Sequence, residues 1–336
     1  MPRLVHVVAP SRLHFGLWSL GGANPRQFGG VGAMIEQPEL SLKLSDAASL
    51  TADGDSANRA LDYARRWAEF HGVPTPQCHI EISATSPGHV GLGSGTQLGL
   101  SVAAGLNAFG GLPSQSPQEL AQSVGRGLRS AVGTYGFVFG GLIVEQGKLP
   151  DEPISPLDCR IDLPEHWRFV LIRPKELVGL AGEVETEAFG ALPSVPPAVT
   201  EVLIAEVGQR LVPAAATEDF PLFAESIYRY GRMSGEIFSA RQGGPYNGPV
   251  VTSIIEQIRR LGHVGVGQSS WGPTVYVAMP SQDAAEQLVM KLGAQKVLSN
   301  LDMLISPPCN RGAQIVVSGD SPRNRVSLPS ELNPAT

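Results

Sequence analysis

The spacing of hydrophobic and polar positions changes along the chain, and each pattern predicts one kind of element. Residues 56–71 place apolar side chains three and four positions apart, which is typical of an amphipathic helix. Asp55 or Ser56 is the expected cap of this helix, and Gly72 is its expected end. Apolar and polar residues alternate over Cys78–Ala84, which predicts a half-buried strand.

The same patterns predict the remaining elements. We expect strands over residues 4–9, where Pro10 ends the run, over a pair at 136–146 and 168–174, and over 314–318. We expect helices at 96–108, 117–128, 197–211, 218–241, 250–261 and 282–292. Residues 21–32 and 265–279 are predicted as two glycine-rich connections, and the tail after Ser321 as disordered. Short strands mixed with longer helices predict an α+β fold with two subdomains.

Composition narrows the class of protein. The 336 residues allow one large domain or two moderate ones, and 39 glycines with 28 prolines indicate many ordered turns. The net charge of −6 argues against binding nucleic acid through a broad cationic surface. Three separated cysteines argue against a structural zinc site and a disulfide framework. No apolar run approaches the roughly 18 residues of a membrane span, so we expect a cytoplasmic protein without membrane contact.

The strongest chemical signal is a glycine-rich sequence at the start of the helix predicted over 96–108. Backbone N–H groups at a helix N-terminus lack partners within the helix, and glycines let an anion approach them closely. The sequence has neither the Gly-Lys-Ser/Thr of a P-loop nor the third glycine of a dinucleotide fingerprint. The alternative to phosphate binding is a tight turn packed against a strand. The residues predicted to bind phosphate are Gly91, Gly93, Ser94, Gly95, Thr96 and Gln97.

Five further residues are candidates for substrate contact. His14 can hydrogen-bond a phosphate or a carboxylate, or it is a packed structural residue. Arg26 can clamp an anion, or it is a solvated loop charge. The hydroxyls of Ser269 and Ser270 can bind substrate, and Trp271 can stack on an aromatic ring or belong to the core.

Three glutamates alternate in the sequence GEVETEAF, at Glu183, Glu185 and Glu187. On a strand they would share one face, where carboxylate oxygens can hold Mg²⁺. A solvated acidic edge is the alternative interpretation. Glu183 and Glu187 are the predicted metal ligands.

Three motifs, PSRLHFG from Pro10, PGHVGLGSGTQ from Pro87 and GVGQSSWGPTVY from Gly265, resemble in order the three motifs of the GHMP superfamily of small-molecule kinases. The resemblance implies a GHMP kinase-like two-subdomain fold, divided as 1–160, 161–320 and a flexible tail at 321–336. Two departures weaken the kinase interpretation. Gly133 stands where these kinases have their catalytic aspartate, and Arg12 replaces their lysine. Arginine is a poor proton acceptor but a good fork for phosphate or carboxylate.

Six segments, PSRLHFG, RQFGGVG, GLGSGTQ, RSAVGTYGFVFGG, GEVETEAF and QSSWGPTVY, together resemble the β-ribofuranosylaminobenzene 5′-phosphate synthase family, a non-kinase branch of this superfamily. The resemblance implies that phosphoribosyl pyrophosphate is condensed with 4-aminobenzoate or 4-hydroxybenzoate. Pyrophosphate and CO₂ are released, in tetrahydromethanopterin biosynthesis. It also implies Mg²⁺ with the pyrophosphate, no ATP requirement and a homodimer.

Arg12 and His14 are the predicted catalytic residues under this resemblance. Departure of pyrophosphate leaves positive charge on the ribose and adds negative charge to the leaving group, which backbone amides, Arg12 and Mg²⁺ would stabilise. An ATP-dependent GHMP small-molecule kinase and a catalytically inactive GHMP-like binding protein are the alternatives. The loss of the aspartate at Gly133 weakens the first, and retention of Arg12, His14 and both glycine-rich turns weakens the second.

Overall fold

The computed structural model describes residues 3–177, 179, 187, 189–294 and 300–318, and it contains two β-sheets covered by helices. The first sheet has the order β11-β1-β2-β4-β3, and β5 pairs with β2 on one side and β6 on the other. Its strands are β1 (Leu4–Ser19), β2 (Phe28–Asp46), β3 (Thr51–Gly54), β4 (Cys78–Ala84), β5 (Leu142–Glu145), β6 (Leu157–Ile161) and β11 (Gln314–Ser318). All of these pairs are antiparallel except β3 with β4.

The second sheet is antiparallel and has the order β10-β7-β9-β8. Its strands are β7 (Arg168–Pro174), β8 (Val266–Gln268), β9 (Val275–Met279) and β10 (Leu301–Ser306). The central strands β7 and β9 are almost continuously apolar, because both faces of the sheet are covered.

The helices pack on these sheets. They are α1 (Ala57–His71), α2 (Ser94–Gly110), α3 (Pro117–Ser123), α4 (Val132–Phe139), α5 (Pro197–Glu206), α6 (Val212–Ala216), α7 (Phe220–Glu236), α8 (Ser239–Gln242), α9 (Gly248–Arg260) and α10 (Gln282–Gly293). A π-helical turn, Val207–Leu211, joins α5 to α6. One core lies between the first sheet and α1 to α4, and another lies between the second sheet and α9 and α10. A third joins the far half of β1 to α5, α7 and β7, so it holds the two halves of the molecule together.

The strand at Cys78–Ala84, the strands at Arg168–Pro174 and Gln314–Ser318, and the helix ending at Gly72 confirm the sequence predictions. The cap of α1 differs from expectation. Ser56 holds the cap position in a left-handed conformation and makes no capping hydrogen bond through its side chain.

The prediction that Pro10 ends the first strand is wrong. Strand β1 continues to Ser19, and its register against β2 shifts between Ala9 and Ser11. Proline is tolerated at such a bulge, because its missing N–H removes no regular ladder bond. The connection predicted over 21–32 likewise enters β2 at Phe28.

The strand predicted over 136–146 is also wrong, because its first part forms α4 and only Leu142–Glu145 is a strand. An apolar run buried on all sides has no periodicity that separates helix from strand. The expected partner, β7, pairs instead with β9 and β10. The longest strand, β2, was not predicted, and neither were β3, β6 and β10. Other differences are smaller, since helix α3 stops at Ser123 and residues 265–279 contain β8 and β9.

The predicted boundary at 160/161 falls inside β6, which belongs to the first sheet, and β11 returns the chain to that sheet. Across the residues the structure describes, every helix is too short or too polar for a bilayer crossing. The predicted disordered tail lies outside the described residues.

Candidate active site

A cleft of about 870 Å³ brings both glycine-rich motifs together. Its walls come from the far half of β1, the turn before α2, the segment at 125–130, the C-terminal half of α7 and the turn at 270–272. The residues that line the cleft include Arg12, His14, Arg59, Gly91, Gly93, Ser94, Gly95, Thr96, Arg126, Arg129, Ser130, Glu187, Phe189, Phe238, Ser270 and Trp271.

Residues 91–95, here called the glycine turn, bring the backbone to the cleft at the N-terminus of α2. Gly93 is the cap residue of α2, with φ of +74°, and no side chain caps the helix. Thr96 and Gln97 donate their backbone N–H groups to the Gly93 carbonyl at 3.0 and 3.1 Å. The amides of Thr96 and Gln97 are therefore engaged within the turn, and the positive end of the helix is directed to the cleft through residues 93–95.

Arginines surround the glycine turn. Arg126 donates from Nη2 to the Thr96 hydroxyl at 2.9 Å, and the Arg59 guanidinium lies over Gly95, where a Cβ would collide with it. Arg12 packs against Gly93 and donates to the Gly91 carbonyl at 3.4 Å. Three guanidinium groups beside one helix N-terminus form a site suited to a multiply charged anion.

His14 belongs to a buried hydrogen-bonded chain that begins at this cleft. Its Nε2 lies 3.0 Å from the Ser130 hydroxyl, which donates to Oε1 of Glu145 at 2.6 Å. The other oxygen of Glu145 accepts the Ala131 N–H at 2.6 Å. Burial, and then the charge of Arg12, lower the pKa of His14 well below its usual value. Burial raises the pKa of Glu145 to about 7, although hydrogen bonds and Arg12 oppose the shift.

Three aromatic rings, Phe189, Phe238 and Trp271, form a second feature of the cleft, here called the aromatic cluster. Their centroids lie 4.9 to 5.8 Å apart with edge-to-face geometry. The Arg129 guanidinium lies 4.4 Å from the centroid of Phe189. Apolar faces next to a cation suit a planar aromatic acid.

The structure brings most of the predicted site residues together. Arg12, His14, the predicted glycines, Ser94, Thr96, Ser270, Trp271 and Glu187 all line the cleft. Ser269 and Gln97 lie behind its wall. The Ser269 hydroxyl accepts the His14 N–H and donates to the Gly91 carbonyl at 2.7 Å, so it fastens the two motifs to each other. The Gln97 amide donates to the Gly133 carbonyl at 3.0 Å.

Arg26 does not reach the cleft. Its guanidinium makes two hydrogen bonds to Glu152, at 2.8 and 3.0 Å, and a third to the Gly147 carbonyl. The prediction that Arg26 contacts substrate therefore finds no support in the geometry, because this fork already holds a carboxylate.

The predicted metal ligands are only partly described. Glu187 is exposed at the cleft and has helical backbone, which differs from the strand expected there, whereas Glu183 lies outside the described residues. The described residues contain no cluster of three His, Cys, Asp or Glu side chains that could hold a metal ion.

Gly133 occupies the place of the kinase aspartate, and its surroundings are filled. A Cβ at Gly133 would lie 3.3 Å from the methyl of Thr96 and 3.6 Å from Cδ of Arg12. A side chain at Gly133 would therefore press on Thr96 and lie in ordinary contact with Arg12, one of the two residues that depart from the kinase motifs.

Sequence reasoning missed Arg59, Arg126, Arg129, Phe189, Phe238 and the pair Ser130 and Glu145. Arg59 and Arg126 lie outside every recognised motif, and Arg59 belongs to the polar face of α1. Arg129 begins the segment RSAVGTYGFVFGG, but no role was predicted for it. Glu145 carried one signal in the sequence, because it is a glutamate at the end of an apolar run. The structure shows it fully buried, and a buried carboxyl group requires hydrogen-bond partners.

Comparisons with known proteins identify the family of the whole chain. Residues 56–141 match the model for the N-terminal domain of GHMP kinases, and residues 211–297 match the model for their C-terminal domain. A β-ribofuranosylphenol 5′-phosphate synthase from Methanothermobacter thermautotrophicus is 32% identical over 289 residues, which cover 80% of this chain and 86% of that protein. The chain belongs to the β-ribofuranosylphenol 5′-phosphate synthase family. A synthase of this name from Archaeoglobus fulgidus is 28% identical over 329 residues, covering 94% of this chain and all of that protein.

Solved structures confirm the GHMP kinase fold. A homoserine kinase from Cytophaga hutchinsonii superposes with a TM-score of 0.66 at 17% identity, covering 93% of this chain and 97% of that one. Mevalonate-3-kinase from Thermoplasma acidophilum superposes with a TM-score of 0.66 at 14% identity, covering 94% and 99%. The names of the sequence relatives indicate an enzyme of the synthase type.

Proposed function

We propose that this synthase condenses phosphoribosyl pyrophosphate with a para-substituted benzoate, 4-aminobenzoate or 4-hydroxybenzoate, and releases pyrophosphate and CO₂ in tetrahydromethanopterin biosynthesis. The observation that carries the proposal is that one cleft combines an arginine-rich helix N-terminus with an aromatic cluster. The names of the relatives specify a ribofuranosyl 5′-phosphate joined to phenol, which supports a ribosyl phosphate donor and a hydroxylated aromatic acceptor.

The phosphorylated sugar is assigned to the glycine turn. Arg12, Arg59 and Arg126 would bind its anionic groups, together with the amides at the start of α2. Charge moves onto the pyrophosphate as its bond to the ribose breaks, so these donors are worth more in the transition state than before it.

The aromatic acceptor is assigned to the aromatic cluster. Phe189, Phe238 and Trp271 would hold the ring, and Arg129 would attract the carboxylate. Apolar walls also exclude water, which would otherwise capture the ribosyl cation. The ring attacks through the carbon that bears the carboxylate, and loss of CO₂ restores aromaticity.

Mg²⁺ is proposed as the companion of the pyrophosphate. Magnesium in phosphate sites commonly takes one or two carboxylates together with phosphate oxygens, and Glu187 is a carboxylate on the cleft wall. When bound, the ion would neutralise charge on the pyrophosphate. The homodimer that the resemblance implies and the cytoplasmic location expected from the composition stay predictions.

A kinase is disfavoured by the identity of residue 133. Glycine supplies no carboxylate where the kinase motif has its catalytic aspartate, and a side chain there would press on Thr96 and contact Arg12. The proposed reaction needs no base at that position, because the nucleophile is a ring carbon.

Carboxyl-labelled benzoates test the proposal. Purified protein with phosphoribosyl pyrophosphate, Mg²⁺ and carboxyl-labelled 4-aminobenzoate or 4-hydroxybenzoate should release labelled CO₂ and an equal amount of pyrophosphate. Reactions without phosphoribosyl pyrophosphate, or with ATP in its place, are the controls. ADP formation with a small alcohol, and no CO₂ release, would support a kinase instead.

A further inference from the structure

Glu145, Ser130 and His14 form a continuous hydrogen-bonded chain that leads from the interior to the cleft. Glu145 ends β5 and is fully buried, and Ser130 lies just before α4. His14 lies on β1 and lines the cleft with 4% of its surface exposed. The two links measure 2.6 and 3.0 Å. His14 and Glu145 are buried and Ser130 is partly buried between them, and mutual hydrogen bonding offsets the cost of placing these polar groups together.

The hydrogen count at Ser130 sets the direction of the chain. While Glu145 is ionised it can only accept, so the single hydrogen of the Ser130 hydroxyl goes to Glu145, and the hydroxyl oxygen accepts the Val132 N–H at 3.3 Å. The remaining lone pair of Ser130 then accepts from His14, so in this state Nε2 of His14 carries the hydrogen. The Nδ1 atom of a neutral His14 is then a proton acceptor.

The chain can store a proton at only one end. An imidazolium at His14 is disfavoured by burial and by Arg12. Burial makes the neutral form of Glu145 accessible near neutral pH. The titratable or charged groups that interact with Glu145 are Arg12, which favours its charged form, and Tyr135 and Tyr230, whose ionisation it opposes.

We propose that this hydrogen-bonded chain of side chains removes the hydroxyl proton of a para-hydroxybenzoate acceptor. His14 is the catalytic residue, and Ser130 and Glu145 are positioning residues that receive the proton through it. The inference rests on the proposed function and deepens it. It assigns the hydroxyl acceptor a proton path that the amino acceptor does not need.

The proton shift balances without a co-reactant. As the ring carbon forms its bond to ribose C1, the pyrophosphate leaves with the electron pair of the broken C–O bond. The hydroxyl proton passes to Nδ1 of His14, the Nε2 hydrogen passes to Ser130, and the Ser130 hydrogen passes to Glu145. His14 ends neutral in its other tautomer. Loss of CO₂ returns electrons to the ring, and the proton returns along the same path to the ring oxygen.

The two acceptors differ in their need for this path. When the ring attacks, positive charge develops on the para substituent. Nitrogen carries that positive charge at a much lower free-energy cost than oxygen does. An amino group can therefore keep both of its hydrogens during the attack, whereas a hydroxyl group lowers the energy of the transition state strongly by losing its proton. The hydrogen-bonded chain of Glu145, Ser130 and His14 therefore favours the reaction of the hydroxyl acceptor.

Paired kinetics with the two acceptors test this inference. Glu145→Gln should lower kcat/KM for 4-hydroxybenzoate on the order of a hundredfold, the usual contribution of general-base catalysis, and change that for 4-aminobenzoate little. Ser130→Ala should have the same selective effect, and Ser130→Thr, which keeps the hydroxyl, should restore most of the activity. Glu152→Gln is the matched control outside the cleft, and it should leave both acceptors unaffected.

The pH profile supplies an independent readout. Because the chain accepts a proton only while Glu145 is ionised, wild-type kcat/KM for 4-hydroxybenzoate should fall as the pH drops through about 7. Glu145→Gln should remove this acidic limb. The profile for 4-aminobenzoate should lack it in both proteins.

Each outcome has one meaning. If both acceptors lose activity equally in Glu145→Gln and Ser130→Ala, or if the acidic limb persists in Glu145→Gln, the chain is structural and the inference is wrong. If wild type uses 4-aminobenzoate alone, the inference is also wrong, but the proposed function stands. If wild type uses neither acceptor, the proposed function itself fails.

Discussion

Replacing Gly93 by valine separates the binding role of the glycine turn from its folding role. Gly93 has φ of +74°, and a Cβ there would lie 3.2 Å from Nε and 3.3 Å from Cβ of Arg12. A non-glycine residue in this conformation costs roughly 1–2 kcal/mol of stability. Displacing the Arg12 fork and covering the helix amides should cost about 3 kcal/mol of transition-state stabilisation, roughly a hundredfold in kcat/KM.

Gly72 offers the matched control. It ends α1 at φ of +63°, and a Cβ there would meet nothing within 4 Å. Gly72→Val should therefore lose stability by about the same roughly 1–2 kcal/mol and keep normal kinetics. Denaturant unfolding and the CO₂-release assay measure the two effects on both variants. Normal kcat/KM in folded Gly93→Val would refute the assignment of the glycine turn to phosphate binding.

Three further changes test individual assignments. Arg12→Lys keeps the charge but loses the fork, so kcat/KM should fall about ten- to a hundredfold with little change in melting temperature, and normal kinetics would remove Arg12 from the site. Arg26→Ala should leave kcat/KM unchanged and cost about 1 kcal/mol of unfolding free energy, because it loses a partly exposed pair with Glu152 and a hydrogen bond to the Gly147 carbonyl, both away from the cleft. A large kinetic loss would instead support the original prediction that Arg26 contacts substrate. Gly133→Asp should not create ATP-dependent phosphorylation, because the rest of the proposed site is arranged for the departure of pyrophosphate, and measurable ADP formation with an alcohol would contradict this.

The sequence predicted the parts of the fold where periodicity and local chemistry agree. Helix α1 and strand β4 have regular patterns of their own, and their ends fall at or beside the expected residues. Pro10 misled the prediction, because a bulge in β1 depends on pairing with β2 and not on the local sequence. The buried run that forms α4 misled it because apolar residues on every side give no period.

The candidate site shows the same division. The glycine turn was predictable because a helix N-terminus with glycines has a local physical meaning. Arg126 and Glu145 could not be predicted from the local sequence, because each is connected to the candidate site by a residue that only the fold brings near. Arg126 hydrogen-bonds to Thr96, and Glu145 hydrogen-bonds to Ser130. Arg26 was predicted to contact substrate because the local sequence does not show that its guanidinium is hydrogen-bonded to Glu152.

The structure of the reaction product shows which atom of the acceptor attacks the ribose. Wild-type protein, phosphoribosyl pyrophosphate, Mg²⁺ and 4-hydroxybenzoate labelled with carbon-13 at the carboxyl-bearing ring carbon should give one phosphorylated product, whose NMR spectrum shows that carbon bonded directly to ribose C1. We expect this carbon–carbon bond together with a ring that has lost its carboxylate. A ribosyl ester, a ribosyl ether on the hydroxyl, or no ribosylated product would contradict it.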